Sequence, residues 1–182
     1  MEKVINYINE KYASYETSVN ITTNGVLFNK KIQDYLYHNK VAILVSLDGY
    51  KENHDRNRVD RKGNSTFDKV LRNIRQFKSN HPDGNIAISV CFDYKTDFEK
   101  LAEFVDEQDL SVVHTSQIQS DNSYYYNQFV EDDKDEFFAH YNKTKGSFFD
   151  HVLTDDYDKS KFLYRFFGSI YGDLAYHPMI RE

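Results

Sequence analysis

Val41-Ala42-Ile43-Leu44-Val45-Ser46-Leu47 is an almost unbroken apolar run, and Asp48-Gly49 ends it. A strand exposed on one face alternates apolar and polar residues, whereas this stretch does not. The reading is a strand covered on both faces, which is the habit of parallel sheets. The rest of the chain is read outward from it.

On the N-terminal side, Lys30–Asn39 has helical spacing, with Ile32, Tyr35 and Leu36 turned inward. Before it, Ser18–Thr22 alternates as a strand and runs into Asn24-Gly25, a turn signal. Glu2–Tyr12 places Val4, Ile5, Ile8 and Tyr12 on one helical face.

On the C-terminal side, Asp48–Asn64 is polar and is expected to be a long loop. Ser65-Thr66-Phe67-Asp68 has the form of a capping box, and Phe67, Val70, Leu71, Ile74 and Phe77 follow at helical spacing. His81-Pro82-Asp83-Gly84 breaks that helix. Ile86–Phe92 is the next strand. Thr96 is expected to cap a further helix, with Glu99 three residues on and Phe98, Leu101, Phe104 and Val105 facing inward. Ser111–Ile118 is the last strand. Helices and strands alternate strictly, so the fold class is α/β with parallel crossovers. The spacing is too irregular for a solenoid.

Beyond Gln119 the chain becomes acidic and rich in Tyr and Phe, and helices outside the sheet are expected. In Lys159–Leu174, Phe162, Phe166 and Ile170 share a face. Two regions are expected, residues 1–119 and 120–182.

Composition narrows function. The 182 residues are 40% apolar, include 15 Tyr and 14 Phe but no Trp, and carry a net charge of −6. Such a balance opposes duplex DNA binding, which needs a basic face to replace counterions; Arg56, Arg58, Arg61 and Lys62 are diluted by acidic neighbours. Cys91 is the one cysteine, which rules out an internal disulfide and a Cys-ligated iron–sulfur or zinc site made by this chain alone. Inside a strand it reads as a buried, inert core residue. The N-terminus has no signal segment, no run is long enough to span a membrane, and the expected location is cytoplasmic.

In a parallel α/β sheet, ligands gather at the carboxyl ends of strands. Three such ends are polar here. One is Thr22-Thr23-Asn24-Gly25. The second is Ser46-Leu47-Asp48-Gly49, with the loop carrying His54, Asp55 and Arg58. The third is Asp93; Thr115, Ser116 and Gln117 are weaker. Hydroxyl, amide, carboxylate and guanidinium groups on one rim suit a ligand with ribose hydroxyls and a carboxylate. Each alone has a plainer reading: Asn24-Gly25 and Asp48-Gly49 as turns, His54 and Asp55 as solvated loop, Arg58 as a surface arginine, and Tyr124–Tyr126 as packing. No phosphate loop is present.

In order and spacing, Thr23-Asn24-Gly25, Ser46-Leu47-Asp48-Gly49, His54-Asp55, Arg58, Gly63, Thr66-Phe67 and Asn73-Ile74 resemble the central part of radical S-adenosylmethionine enzymes. The branch is the one carrying a SPASM region, which includes the anaerobic sulfatase-maturating enzymes and the ribosomal-peptide maturases. The resemblance covers the chain from Met1 to about Ile118. It implies a partial (β/α)6, TIM-like barrel, with the four strands as the third to sixth. It implies S-adenosylmethionine and a 4Fe–4S cluster as cofactors of the parent family, and a peptide or protein as substrate. It implies cofactor binding at Asn24, Ser46, Asp48, Arg58 and Asp93, with Ser46 and Asp48 near the cofactor and Arg58 a partner for its carboxylate. The family's three-cysteine motif, its glycine-glycine-glutamate motif and its cysteine-rich C-terminal region have no counterpart here. The expectation is therefore an internal fragment, inactive alone, with no catalytic or metal-binding residue of its own. A non-catalytic peptide- or protein-binding module is the alternative, and an independent α/β enzyme ranks third. The strand Ser18–Thr22 would be left as an open edge, to be covered by the tail or to pair two chains as a homodimer.

Overall fold

The computed structural model describes residues 2–118 and 123–153. The elements run α1 (Glu2–Lys11), β1 (Asn20–Thr23), α2 (Lys30–His38), β2 (Ala42–Ser46), α3 (Lys51–Asn57), α4 (Phe67–Asn80), β3 (Ile86–Phe92), α5 (Phe98–Glu107), β4 (Val112–Gln117), α6 (Ser123–Tyr126) and α7 (Glu131–Leu153). Among the described residues four strands form a parallel sheet in the order β1-β2-β3-β4. Neighbours in space are neighbours in sequence. Asn20 pairs with Ala42 and Thr23 with Val45, while Ile43 pairs with Ile86 and Ser46 with Ser89.

The described residues gather into two compact units, residues 2–47 with 55–89, and residues 48–54 with those from 90 to 153. In the first, Phe28, Leu36, Ile43, Val45, Val70, Ile74 and Phe77 are buried. Phe28 and Phe77 lie ring against ring at 5.5 Å. Burial on β2 alternates, with Ile43 and Val45 buried and Ala42, Leu44 and Ser46 half-buried. No position of β2 is exposed, so both faces are covered, as the apolar run implies, though one more fully than the other. On α1, Ile5 is buried and Ile8 half-buried, whereas Val4 is exposed, as is Tyr12 just past the helix.

In the second unit, Val90, Phe98, Leu101, Ala102, Val105 and Leu110 are buried. Aromatic rings extend that core. Phe137 of α7 stacks on Phe92 at 6.0 Å and meets Phe98 edge-on at 5.7 Å and Tyr94 at 5.5 Å. Pairs of this kind contribute about 0.5–1.5 kcal/mol each beyond buried area. The face Phe162, Phe166 and Ile170 lies outside the described residues.

Three local expectations are corrected. Asp48–Asn64 is not simply a loop, for Lys51–Asn57 is helical. The Ser65–Asp68 capping box is not formed: Thr66 is the N-cap of α4 and its side chain makes no cap bond. The Asp55 carboxylate takes that role, accepting from the Thr66 and Phe67 N–H groups at 3.1 and 3.2 Å and from the Ser65 hydroxyl. On α5 the cap is Asp97, which accepts from the Lys100 N–H at 3.0 Å, rather than Thr96. A carboxylate bonds the positive helix end more strongly than a hydroxyl does.

Candidate functional site

The first unit presents two strand ends. After β1 the chain turns at Thr23-Asn24-Gly25. The Thr23 hydroxyl accepts from the Gly25 N–H at 3.1 Å, and the Asn24 side-chain oxygen accepts from the Val26 N–H at 3.2 Å. Gly25 has φ +73°, and a Cβ there would stand 2.9 Å from Val45 Cγ1 and from Val70 Cγ1. Only glycine meets both demands. Two amides hold the loop. Asn73 Nδ2 donates to the Gly25 carbonyl at 2.8 Å, and Gln33 Nε2 donates to the Phe28 carbonyl at 2.8 Å. Gln33 is fully buried, and its Oε1 has no hydrogen-bond partner among the described residues.

Ser46, half-buried, ends β2 in register with Ser89 of β3, which sets two serines side by side. The Leu47 N–H donates to the Ser89 carbonyl at 3.1 Å. Arg58 is half-buried, and its carbonyl accepts from the Thr66 hydroxyl at 2.7 Å.

In the second unit the strand ends are tied by buried polar groups. Asp48 is 1% exposed and Asp93 is 0% exposed. The Asp48 carboxylate accepts from the Cys91 N–H at 2.9 Å, while its own N–H donates to Nδ1 of His54 at 3.3 Å. Asn53 donates to the Asp48 carbonyl and accepts from the Thr96 hydroxyl at 2.7 Å. The Asp93 carboxylate accepts from the Lys95 N–H at 2.9 Å and from the Tyr125 hydroxyl at 2.8 Å. Burial, then the neighbouring Tyr94 and Asp93, hold the Tyr126 phenol above its ordinary pKa.

The expected site residues thus divide. Asn24, Ser46 and Arg58 lie in the first unit, with Asn24 exposed and the other two half-buried. Asp48 and Asp93 lie in the second and are wholly buried. His54 is buried at 1% exposure, which corrects its reading as solvated loop. Cys91 is half-buried rather than sealed in the core, with Sγ 3.8 Å from the Ser116 hydroxyl. Tyr124 is 80% exposed, while Tyr125 and Tyr126 pack. Ser89, Gln33 and Asn53 escaped the sequence reading, and Thr96 was read only as a helix cap. Paired strand ends carried a signal for Ser89; the others act through partners distant in sequence and left none.

No family model matches the chain. A cysteine-type anaerobic sulfatase-maturating enzyme of Clostridium novyi (strain NT) is 30% identical over 107 residues, 58% of this chain and 28% of that protein. A serine-type counterpart from Bacteroides thetaiotaomicron is 32% identical over 92 residues, 50% of this chain and 22% of that protein. Over half its length or more, the chain is similar to anaerobic sulfatase-maturating enzymes. It spans about a quarter of the length of these curated relatives. A solved sulfatase-maturating structure described as native anSMEcpe with bound AdoMet and Kp18Cys peptide shares the fold. Its TM-score is 0.67 at 22% identity, over 84% of this chain and 43% of that one. The four parallel strands with their helices share the fold of part of that structure.

The donor sets can be tested against the cofactors the sulfatase-maturating relatives imply. A 4Fe–4S cluster needs several thiolates. The chain has one, and among the described residues no group of three or more His, Cys, Asp or Glu is placed to hold a metal. The residues here do not fit the cluster. S-adenosylmethionine presents ribose hydroxyls, a carboxylate and an ammonium, and the amide, hydroxyl and guanidinium of the first unit suit the first two.

Proposed function

We propose that this chain forms the S-adenosylmethionine-facing part of a radical S-adenosylmethionine enzyme that modifies a peptide or protein. The observation that carries the reading is the similarity to sulfatase-maturating enzymes across more than half of the chain. Bound S-adenosylmethionine supplies such enzymes with a radical that removes hydrogen from the substrate. In this reading Asn24 and Ser46 hydrogen-bond the ribose and Arg58 pairs with the carboxylate. Asp48 and Asp93, spent on neighbouring N–H and hydroxyl groups, are positioning residues that set the loops following β2 and β3. No step of radical chemistry is assigned to this chain's own side chains, and the chain alone is inactive.

Methyl-labelled S-adenosylmethionine titrated into the full chain tests the cofactor part. Binding is expected, weakened severalfold in Ser46→Ala and in Arg58→Gln. Absence of binding, or binding by both variants as tight as by the unaltered chain, overturns it. Anaerobic reconstitution with iron and sulfide is expected to leave no stable cluster; a stoichiometric cluster with its charge-transfer absorption would show that the donor set has been misjudged.

A further inference from the structure

The loop after β1 is pegged at both ends, and the pegs converge on one residue of α4. Asn73 Nδ2 donates to the Gly25 carbonyl at 2.8 Å. Gln33 Nε2, from α2, donates to the Phe28 carbonyl at 2.8 Å and to the Asn73 carbonyl at 3.1 Å, with Gln76 Oε1 at 3.4 Å. Acceptors on every side of that NH2 group fix which way the Gln33 amide faces. Its Oε1 is buried without a partner among the described residues, and the opposite orientation would press that oxygen against two carbonyls. An unmatched buried acceptor is destabilising, and here it accompanies a donor that ties Phe28 to Asn73.

Between the pegs Asn24 has little freedom. Its Oδ1 accepts from the Val26 N–H at 3.2 Å, and the Thr23 hydroxyl accepts from the Gly25 N–H at 3.1 Å. Gly25 is buried, and its carbonyl is the atom that Asn73 holds. Asn24 is exposed, and its Nδ2 has no hydrogen-bond partner among the described residues. With Oδ1 committed, what Asn24 offers outward is a donor of fixed direction, matched to an acceptor oxygen such as that of a ribose hydroxyl.

We propose that Asn73 is a positioning residue for Asn24: by pinning the Gly25 carbonyl, with Gln33 holding Asn73 in turn, it aims the Asn24 Nδ2 at an oxygen of the ligand. The proposal rests on the reading that this rim binds S-adenosylmethionine, and all its residues belong to the first unit.

The test is a double-mutant cycle on the full chain, with Asn24→Ala and Asn73→Ala made singly and together. Affinity for S-adenosylmethionine and amide relaxation by NMR are the readouts. Asn73 is half-buried, and Asn73→Asp repeats the measurement at nearly constant volume. Each single variant is expected to weaken binding about fivefold, the scale of one hydrogen bond. Asn73→Ala is expected to add nothing once Asn24 is alanine, because it acts through Asn24; additive losses would overturn the positioning role. Without ligand, both Asn73 variants are expected to loosen the amides of residues 24–27 while those of α2 and α4 keep their order. Unchanged order at 24–27 would overturn the peg, and loss of order throughout α4 would mark a purely structural residue. A loosened loop in the variants, with no S-adenosylmethionine binding by the unaltered chain, would overturn the cofactor reading alone.

Discussion

The carboxylate of Asp48, one residue past the last position of the apolar β2 run, accepts the backbone N–H of Cys91 at 2.9 Å, 43 residues further along the chain. The residue that looks like half of a turn signal is a bridge to the end of β3. Asp48→Ala leaves the Cys91 N–H without that acceptor, and the expected cost is about 1–3 kcal/mol. Urea denaturation checks this; an unchanged midpoint would show that the bond carries no net stability.

Gly49 and Gly63 share a left-handed backbone, φ +84° and +81°, but not their surroundings. A Cβ on Gly49 collides with Leu101 Cδ1, whereas one on Gly63 meets nothing within 4 Å. Gly63→Ala is expected to cost only the left-handed strain, about 1–2 kcal/mol. Gly49→Ala adds overpacking of about 1–3 kcal/mol. Thermal melts of the two variants should separate, with Gly49→Ala lower; coincident melts would contradict the packing.

Asp55 caps α4 from outside the helix. Asp55→Ala is expected to destabilise by about 0.5–2 kcal/mol, in the range of a lost N-cap. Asp68→Ala, which removes the partner a capping box would use, is expected to cost less. The reverse order of midpoints would restore the local box.

The pair Asp34 and His81 gives an acid-side dependence. Asp34 is held below the ordinary carboxylate value, first by the Lys30 hydrogen bond and then by His81, whose Nε2 is 3.0 Å away. A carboxylate with a depressed folded pKa adds stability above its unfolded value, about 3.9. That contribution is lost as pH falls through the lower folded value. Stability of the chain minus that of Asp34→Asn is therefore expected to be constant near neutrality and to shrink below about pH 4. A difference that persists unchanged into acid would rule out the linkage.

These cases show what the sequence carried. Ile86–Phe92 was legible to the residue, and Phe67, Val70, Leu71, Ile74 and Phe77 all face a core, because burial on a helix or strand follows a short period in the chain. The parallel sheet followed from strict alternation. Capping was misread twice, at Ser65 and at Thr96, for one reason: in each case an aspartate outcompeted the hydroxyl that the local pattern favoured. At α4 that aspartate lies ten residues or more upstream. His54 looked like a solvated residue because its burial depends on the α3 turn and on the Asp48 N–H, neither of which has a periodic signature. The polar strand ends were found, while the division into exposed Asn24 and sealed Asp48 and Asp93 needed the backbone.

The Asn53 amide has a consequence for synthesis on the ribosome. Asn53 binds within its own segment through the Asp48 carbonyl, and it also binds the Cys91 carbonyl and the Thr96 hydroxyl. Residues 48–54 therefore leave the exit tunnel well before the groups they bind, while residues 55–89, which belong to the other unit, emerge in between. At about 5–20 residues per second the wait is a few seconds, during which a polar helical turn waits in water without those partners. Closing a loop of this length carries an entropic cost that grows only slowly with length, so the delay is set by translation rather than by the search.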